Sequence, residues 1–198
     1  ILTPHCRRIK FRTTLLSLVL LATASPQAIS YNEQDLSNFL STRNCPNCDL
    51  TGLSSAVFKN SPSLPLWANR MLRKVSQVKL PGVNLAGADL SYVDFDRAHL
   101  SYANLESAYL YKATLRRSSL NGINLQHTYL AKATMDGASL RGSNLTGANL
   151  NGVNLRSGNL QGVRLTNATL SRINLIRAQL QKAEMDSTDL AYAKLSFA

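Results

Sequence analysis

From Leu80 to Leu195, every fifth residue of this chain is large and apolar. The series begins Leu80, Leu85, Leu90, Phe95, Leu100 and continues through Met135 and Met185 to Leu195, with no polar member. Neither regular element accepts that period. On an α-helix, five residues advance about 500°, so the side chains would spiral over every face. On a flat strand, an odd period sends successive members to opposite faces. A second series resolves the conflict. Two residues before each large side chain stands a small or β-branched one: Val83, Ala88, Val93, Ala98, Ala103 and so on to Ala193. A spacing of two puts each pair on one side of a short extended segment. The chain must then bend before the next pair, or that pair would face outward. One bend per five residues in a constant sense closes a square of four sides and twenty residues. Stacked squares pair edge to edge at about 4.8 Å, and one square cannot bury its own faces, so stability grows with stacking. The expectation is an all-β solenoid, a quadrilateral β-helix of about six coils.

The corners agree with this path. Gly82, Gly87, Gly122, Gly137, Gly142, Gly147, Gly152 and Gly162 all fall two residues after a large apolar one, where turn geometry favours glycine. Asn or Asp recurs just before it, at Asn84, Asp89, Asp94, Asn104, Asn124, Asn144 and beyond. Short polar side chains bond to nearby turn backbone. The twenty-residue spacing of Asn84, Asn104, Asn124 and Asn144 predicts a ladder.

These units, with Ala88-Asp89-Leu90, Ala103-Asn104-Leu105 and Ala148-Asn149-Leu150 as clear instances, resemble the pentapeptide-repeat family, written A-(D/N)-L-X-X. The resemblance covers about 120 of the 198 residues. It implies a right-handed quadrilateral β-helix. It says less of function: the best-known members protect or inhibit DNA gyrase by mimicking DNA, and many have no assigned role.

Ahead of the repeat, residues 1–30 read as a secretory signal. Arg7, Arg8, Lys10 and Arg12 form a basic start, Thr14 to Ala24 an apolar run, and Ala22-Thr23-Ala24 a small-x-small cleavage site, with Ala28-Ile29-Ser30 as a second. The run is too short for a spanning helix, which needs about 20 residues, so the mature chain is expected to carry no stable membrane span. Twin-arginine export, a retained basic helix and an uncleaved anchor stay open as alternatives. Residues 31–77 read as an N-terminal cap: a short helix around Leu36, Phe39 and Leu40, an isolated repeat at Cys48-Asp49-Leu50-Thr51-Gly52, and a second helix through Trp67, Met71 and Val75. The stretch Leu36 to Gly52 resembles the opening of exported pentapeptide-repeat proteins of photosynthetic bacteria. Export to a periplasm or a thylakoid lumen makes a local disulfide the leading reading of Cys45 and Cys48. Free structural thiols and a redox C-x-x-C remain alternatives. The β-helix is assigned to residues 78–197.

Charge bears on partners. The chain carries 22 Lys and Arg against 11 Asp and Glu, a net +11. A DNA mimic must present negative charge where DNA presents phosphate, so the sign argues against gyrase mimicry. Positive charge spread round a rod is a weak footprint for nucleic acid as well. Residues twenty apart share a face, so surface rows can be written down. Arg97, Arg117 and Arg177 fall in one row, with Arg116 beside Arg117. Lys112, Lys132 and Arg172 fall in a second, and Tyr109 and Tyr129 in a third. These are the candidate interaction residues, and Arg116, Arg117, Tyr109 and Tyr129 together are expected to make one side basic and aromatic. A row through Gly82, Tyr102, Gly122, Gly142, Gly162 and Lys182 is expected to be smooth and nearly uncharged. Leu190, Tyr192, Leu195 and Phe197 mark a C-terminal coil where two copies could meet, as in related pentapeptide proteins. No catalytic residue, cofactor or metal site is expected: His99 and His127 lie in distant repeats, and no acid pair falls across stacked rows. The sequence therefore points to a non-enzymatic exported module for an unknown protein partner. The alternative is a cytosolic module acting on nucleic acid or on a nucleic-acid enzyme such as gyrase.

Overall fold

A computed structural model describes residues 76–198. The leader, the Cys45–Cys48 pair and the helical cap, except for its last two positions, lie outside the described residues. Ser76 and Gln77 already form a turn of the repeat, and the Gln77 N–H donates to the Asp96 carbonyl at 2.8 Å.

Each residue just before a large apolar one bridges, in parallel, the residue twenty further on. The pairs run without a gap from Lys79 with His99 to Asn174 with Lys194. The twenty-residue side-by-side stacking therefore holds throughout. Inside, both series fill the core. Leu80, Leu100, Leu120, Leu140 and Leu160 are each at most 1% exposed, and the small partners Ala88, Ala98, Ala108 and Ala138 are at 0%. A leucine so buried contributes about 1.5–3 kcal/mol. Ser118, Thr128 and Ser143 occupy small inward positions with their hydroxyls satisfied. They donate to the carbonyls of Leu115 (2.6 Å), Leu125 (2.6 Å) and Leu120 (2.8 Å), respectively.

Four of the five backbone N–H groups in a unit follow one rule. The Leu85 N–H donates forward to the Asn104 carbonyl (2.7 Å), and the Gly87 N–H to the Glu106 carbonyl (2.8 Å). The Asn104 N–H donates back to the Val83 carbonyl (2.8 Å), and the Ala88 N–H closes the corner on the Leu85 carbonyl (3.1 Å). Only the residue after the leucine has no backbone acceptor in this scheme. The Asn or Asp just before the leucine supplies one. Oδ1 of Asp89 accepts from the Ser91 N–H (3.0 Å), Asn124 from Gln126 (3.1 Å), Asn144 from Thr146 (3.1 Å) and Asn159 from Gln161 (3.1 Å). At three positions that are not Asx, a side chain one level down serves instead. Asp96 caps the Arg116 N–H, Asn121 caps Arg141 and Asn151 caps Ser171. The Asx preference at this position is thus a backbone requirement. The ladder takes shape in its first rungs, with Asn104 donating to Asn84 (3.1 Å) and Asn124 to Asn104 (3.0 Å). At the next level Asn124 Oδ1 accepts the N–H and side-chain amide of Gln126 instead, and Asn144 Oδ1 accepts the N–H and hydroxyl of Thr146. Asn144→Ala should therefore cost about 1 kcal/mol in chemical denaturation, and Asn144→Asp, which keeps the acceptor, clearly less. Equal losses would refute the capping role.

The corner closes as a turn whose third residue has positive φ, the type II signature. Every such position from Gln77 to Phe197 adopts it: eight are glycine, and seventeen are not, among them Tyr92, Arg117, Lys132 and Phe197. The left-handed region costs an L-residue about 1–2 kcal/mol. The forward hydrogen bond from that residue's own N–H, as in Tyr92 to the Tyr111 carbonyl (2.9 Å), offsets the strain.

The two ends differ. Val78, Leu80, Val83 and Leu85 are no more than 2% exposed, whereas Leu180, Met185 and Leu190 are only partly buried and Leu195 is 43% exposed.

Candidate interaction faces

The twenty-residue register turns surface positions into columns. Tyr92, Tyr109, Tyr111 and Tyr129 gather on the side carrying Leu90, Leu110, Leu130 and Leu150. Tyr109 bridges Tyr129, which bridges Asn149, and both tyrosines keep exposed rings. The second outward column of this side carries Ser91, Tyr111, Ala131 and Asn151, because residues on either side of a leucine point outward together. The Tyr111 ring stacks with Tyr129 (centroids 6.1 Å apart, planes 29° apart) and meets the edge of Tyr92 at 5.6 Å. The Lys112 ammonium stands 5.3 Å from the Tyr111 centroid and 5.7 Å from that of Tyr92, at cation–π range. A hollow of about 480 Å³ opens beside this cluster, with Tyr109, Tyr111, Tyr129, Ala131 and Lys132 among its walls.

The candidate residues divide among sides. Lys112, Lys132 and Arg172 stand at one corner, all in the left-handed conformation, and Arg172 lies 5.9 Å from the Tyr192 ring centroid. Arg97, Arg117 and Arg177 stand five residues on, at the next corner. The expected single basic and aromatic side is therefore corrected. A turn at Tyr111–Lys112 separates Tyr109 from Arg116 and Arg117, so the tyrosines and these arginines occupy successive sides. Arg116 is also tied down, its Nε 3.4 Å from Asp96 Oδ2. The expected smooth glycine row is corrected too. Tyr102 is 76% exposed, and its ring lies along the row where a Cβ on Gly122 would meet it at 2.7 Å. Reasoning from the sequence passed over Tyr111. Its signal was available in the column of outward residues that follow each leucine.

At the C-terminal level, Tyr192 and Phe197 are 84% and 87% exposed, and Leu190 and Leu195 line the same level. Asp189 there accepts from the Ser171 hydroxyl (2.7 Å) and the Ala191 N–H (2.9 Å). These two bonds, the hydroxyl first, hold its carboxyl below the ordinary 3.8. The contribution of a depressed carboxyl is present above the unfolded pKa and lost as pH falls through the folded one. An NMR titration should place the Asp189 midpoint below 3.8, and Ser171→Ala should raise it. A midpoint at or above 3.8 contradicts the assignment. Among the described residues no three metal-ligating side chains cluster, and no helix is long and apolar enough to cross a membrane.

A family model for pentapeptide repeats, in eight copies, matches residues 79–117, 118–156 and 159–196. The chain belongs to the pentapeptide repeat family. Members fold as right-handed quadrilateral β-helices, which agrees with the bridging between residues twenty apart. Solved structures similar to this pentapeptide repeat protein include Rfr23 from the cyanobacterium Cyanothece 51142. That chain is 30% identical, over 79% of this chain and 97% of its own, with a TM-score of 0.27. A pentapeptide repeat protein from the Arabidopsis thaliana thylakoid lumen is 22% identical over 52% and 69%, with a TM-score of 0.46. QnrB1, a plasmid-mediated fluoroquinolone resistance protein, is 21% identical over 76% and 69%, with a TM-score of 0.40. No curated protein sequence matches the chain.

Proposed function

We propose that this pentapeptide repeat protein is a non-enzymatic, exported module that presents the flat sides of a rigid rod to a protein partner. The observation that carries the reading is the outward order of a filled rod. Leucines occupy the interior, while Tyr92, Tyr102, Tyr109 and Tyr129 stay exposed in columns held by the twenty-residue pairing. Exposed tyrosines of this kind supply contact area at small entropic cost. About six coils make a rod roughly 29 Å long at the usual strand spacing. The stretch ahead of the repeat turn at Ser76 and Gln77 forms its N-terminal cap, since the first coil of a solenoid needs a cover. Residues 1–30 direct export, and Cys45 and Cys48 pair in the oxidising compartment. Protein isolated from its own host should have an intact, non-reduced mass that begins near Ser25 or Tyr31 and is light by two hydrogen atoms. Photo-crosslinkers at Tyr102 and Tyr109 should capture one discrete protein in that compartment. A full-length mass with free thiols would overturn the export reading, and crosslinks to nucleic acid alone would overturn the protein partner.

A second copy is the proposed occupant of the C-terminal end, through Leu190, Tyr192, Leu195 and Phe197. The support is the exposed apolar surface of that level. Sedimentation should show a dimer at tens of micromolar that Phe197→Glu dissociates. A monomer before substitution would sink the idea.

A further inference from the structure

We infer that the hollow beside Tyr111 and Tyr129 is the docking site for an acidic segment of the protein partner, with carboxylates seated between Lys132 and the amides of Asn149 and Asn151. The inference rests on the interaction-module reading above and names the chemistry of its partner.

The hollow exists because the columns alternate in size. Ala131, 6% exposed, puts a methyl between Tyr111 one level down and Asn151 one level up. Tyr129 and Lys132 flank it in the same unit and line the same space. The polarity of the rim follows from the backbone scheme of the fold. Asn149 Oδ1 is committed to the Asn151 N–H at 3.0 Å, and Asn151 Oδ1 to the Ser171 N–H at 3.1 Å. With their acceptors so engaged, the two amides are left to offer their NH2 donors. Lys132 adds an ammonium, and Lys112 a second one beyond Tyr111. Among the described residues no carboxylate lines the hollow. Asp89, at the foot of the Tyr109 column, spends Oδ1 on the N–H (3.0 Å) and hydroxyl (2.6 Å) of Ser91. A site made of donors and cations over an apolar floor selects an acceptor-rich anion, and the methylenes of a glutamate suit the ring walls.

A protein segment fits better than a nucleic-acid strand on two grounds. Stacking successive bases needs a run of free ring faces, and Tyr111 is already engaged by Lys112, Tyr92 and Tyr129, which leaves Tyr109 alone in the hollow. The cationic corner row of Lys112 and Lys132 then breaks at Gly152, so it offers no continuous track for phosphates.

The test titrates the full chain with an acetylated, amidated octapeptide of alternating Glu and Gly, followed by NMR and calorimetry. A Gln-for-Glu peptide and a twelve-residue oligothymidylate are run in parallel. The Glu peptide should shift resonances confined to residues 109–112, 129–132 and 149–151. Lys132→Glu and, separately, Tyr129→Ala should weaken it at least tenfold while leaving the melting curve intact. Arg164→Gln, whose native side chain pairs with Glu184 at 3.2 Å elsewhere on the rod, should not change it. Equal binding of the Gln peptide, or shifts spread over every basic corner, would overturn the site. The same local shifts appearing at lower concentration with oligothymidylate would replace the acidic segment by nucleic acid. Failure here with a protein still crosslinked at Tyr102 removes this site alone, whereas failure of both removes the module reading.

Discussion

Leu125→Asp should abolish the cooperative thermal transition of the rod. Leu125 is 2% exposed, and its unit is bridged on one side to that of Leu105 and on the other to that of Leu145, both at 0%. The substitution forfeits about 1.5–3 kcal/mol of burial. It also places a carboxylate in a core where the buried hydroxyls of Thr128 and Ser143 already donate to backbone carbonyls, which costs several kcal/mol more or forces protonation. Against a net stability of about 5–15 kcal/mol for a domain, that total suffices to unfold the middle of the stack. Neighbouring levels lose the surface they pair with, so the damage spreads along the rod. The control is Leu195→Asp. Leu195 is 43% exposed at the open level, so the same chemistry there should move the melting temperature by only a few degrees. Circular dichroism on both variants decides the matter. An unchanged transition in Leu125→Asp would rule out the inward leucine series.

Gly122→Val should be the second most damaging change, through a different mechanism. Gly122 has φ +63°, a region where a β-branched residue is strained by about 1–3 kcal/mol. A Cβ there would also lie 2.7 Å from the Tyr102 ring, so the ring must leave its place along the rod. Gly162→Val isolates the backbone cost: φ is +64° and nothing lies within 4 Å of the would-be Cβ. Gly122→Val should therefore melt below Gly162→Val, and adding Tyr102→Ala should return much of the difference. If Tyr102→Ala returns nothing, the ring does not pack on the glycine. Gly147, whose Cβ would meet His127 Nδ1 at 2.6 Å, is a second corner whose space is filled by a side chain from the level before it.

The five-residue period by itself determined the interior, the corners and the columns. The reason is geometric: with a constant bend, side-chain direction depends only on position within the unit. Hence Asn104 over Asn84 and Tyr129 over Tyr109 could be written down from numbering alone. Tertiary structure decided what the period leaves free. The purpose of the Asn and Asp that recur before the leucine emerges only when every other backbone N–H has been assigned and the one after the leucine has no backbone acceptor. The substitution of Asp96, Asn121 and Asn151 for a missing cap depends on contact between levels. The aromatic cluster is the clearest case. Tyr111 meets Tyr129 eighteen residues on, and Tyr92 meets Tyr111 across nineteen, so neither pair obeys the twenty-residue rule. Such diagonal contacts are set by rotamers and by the small neighbour Ala131. The period carries no information on either, and only the folded stack brings them together.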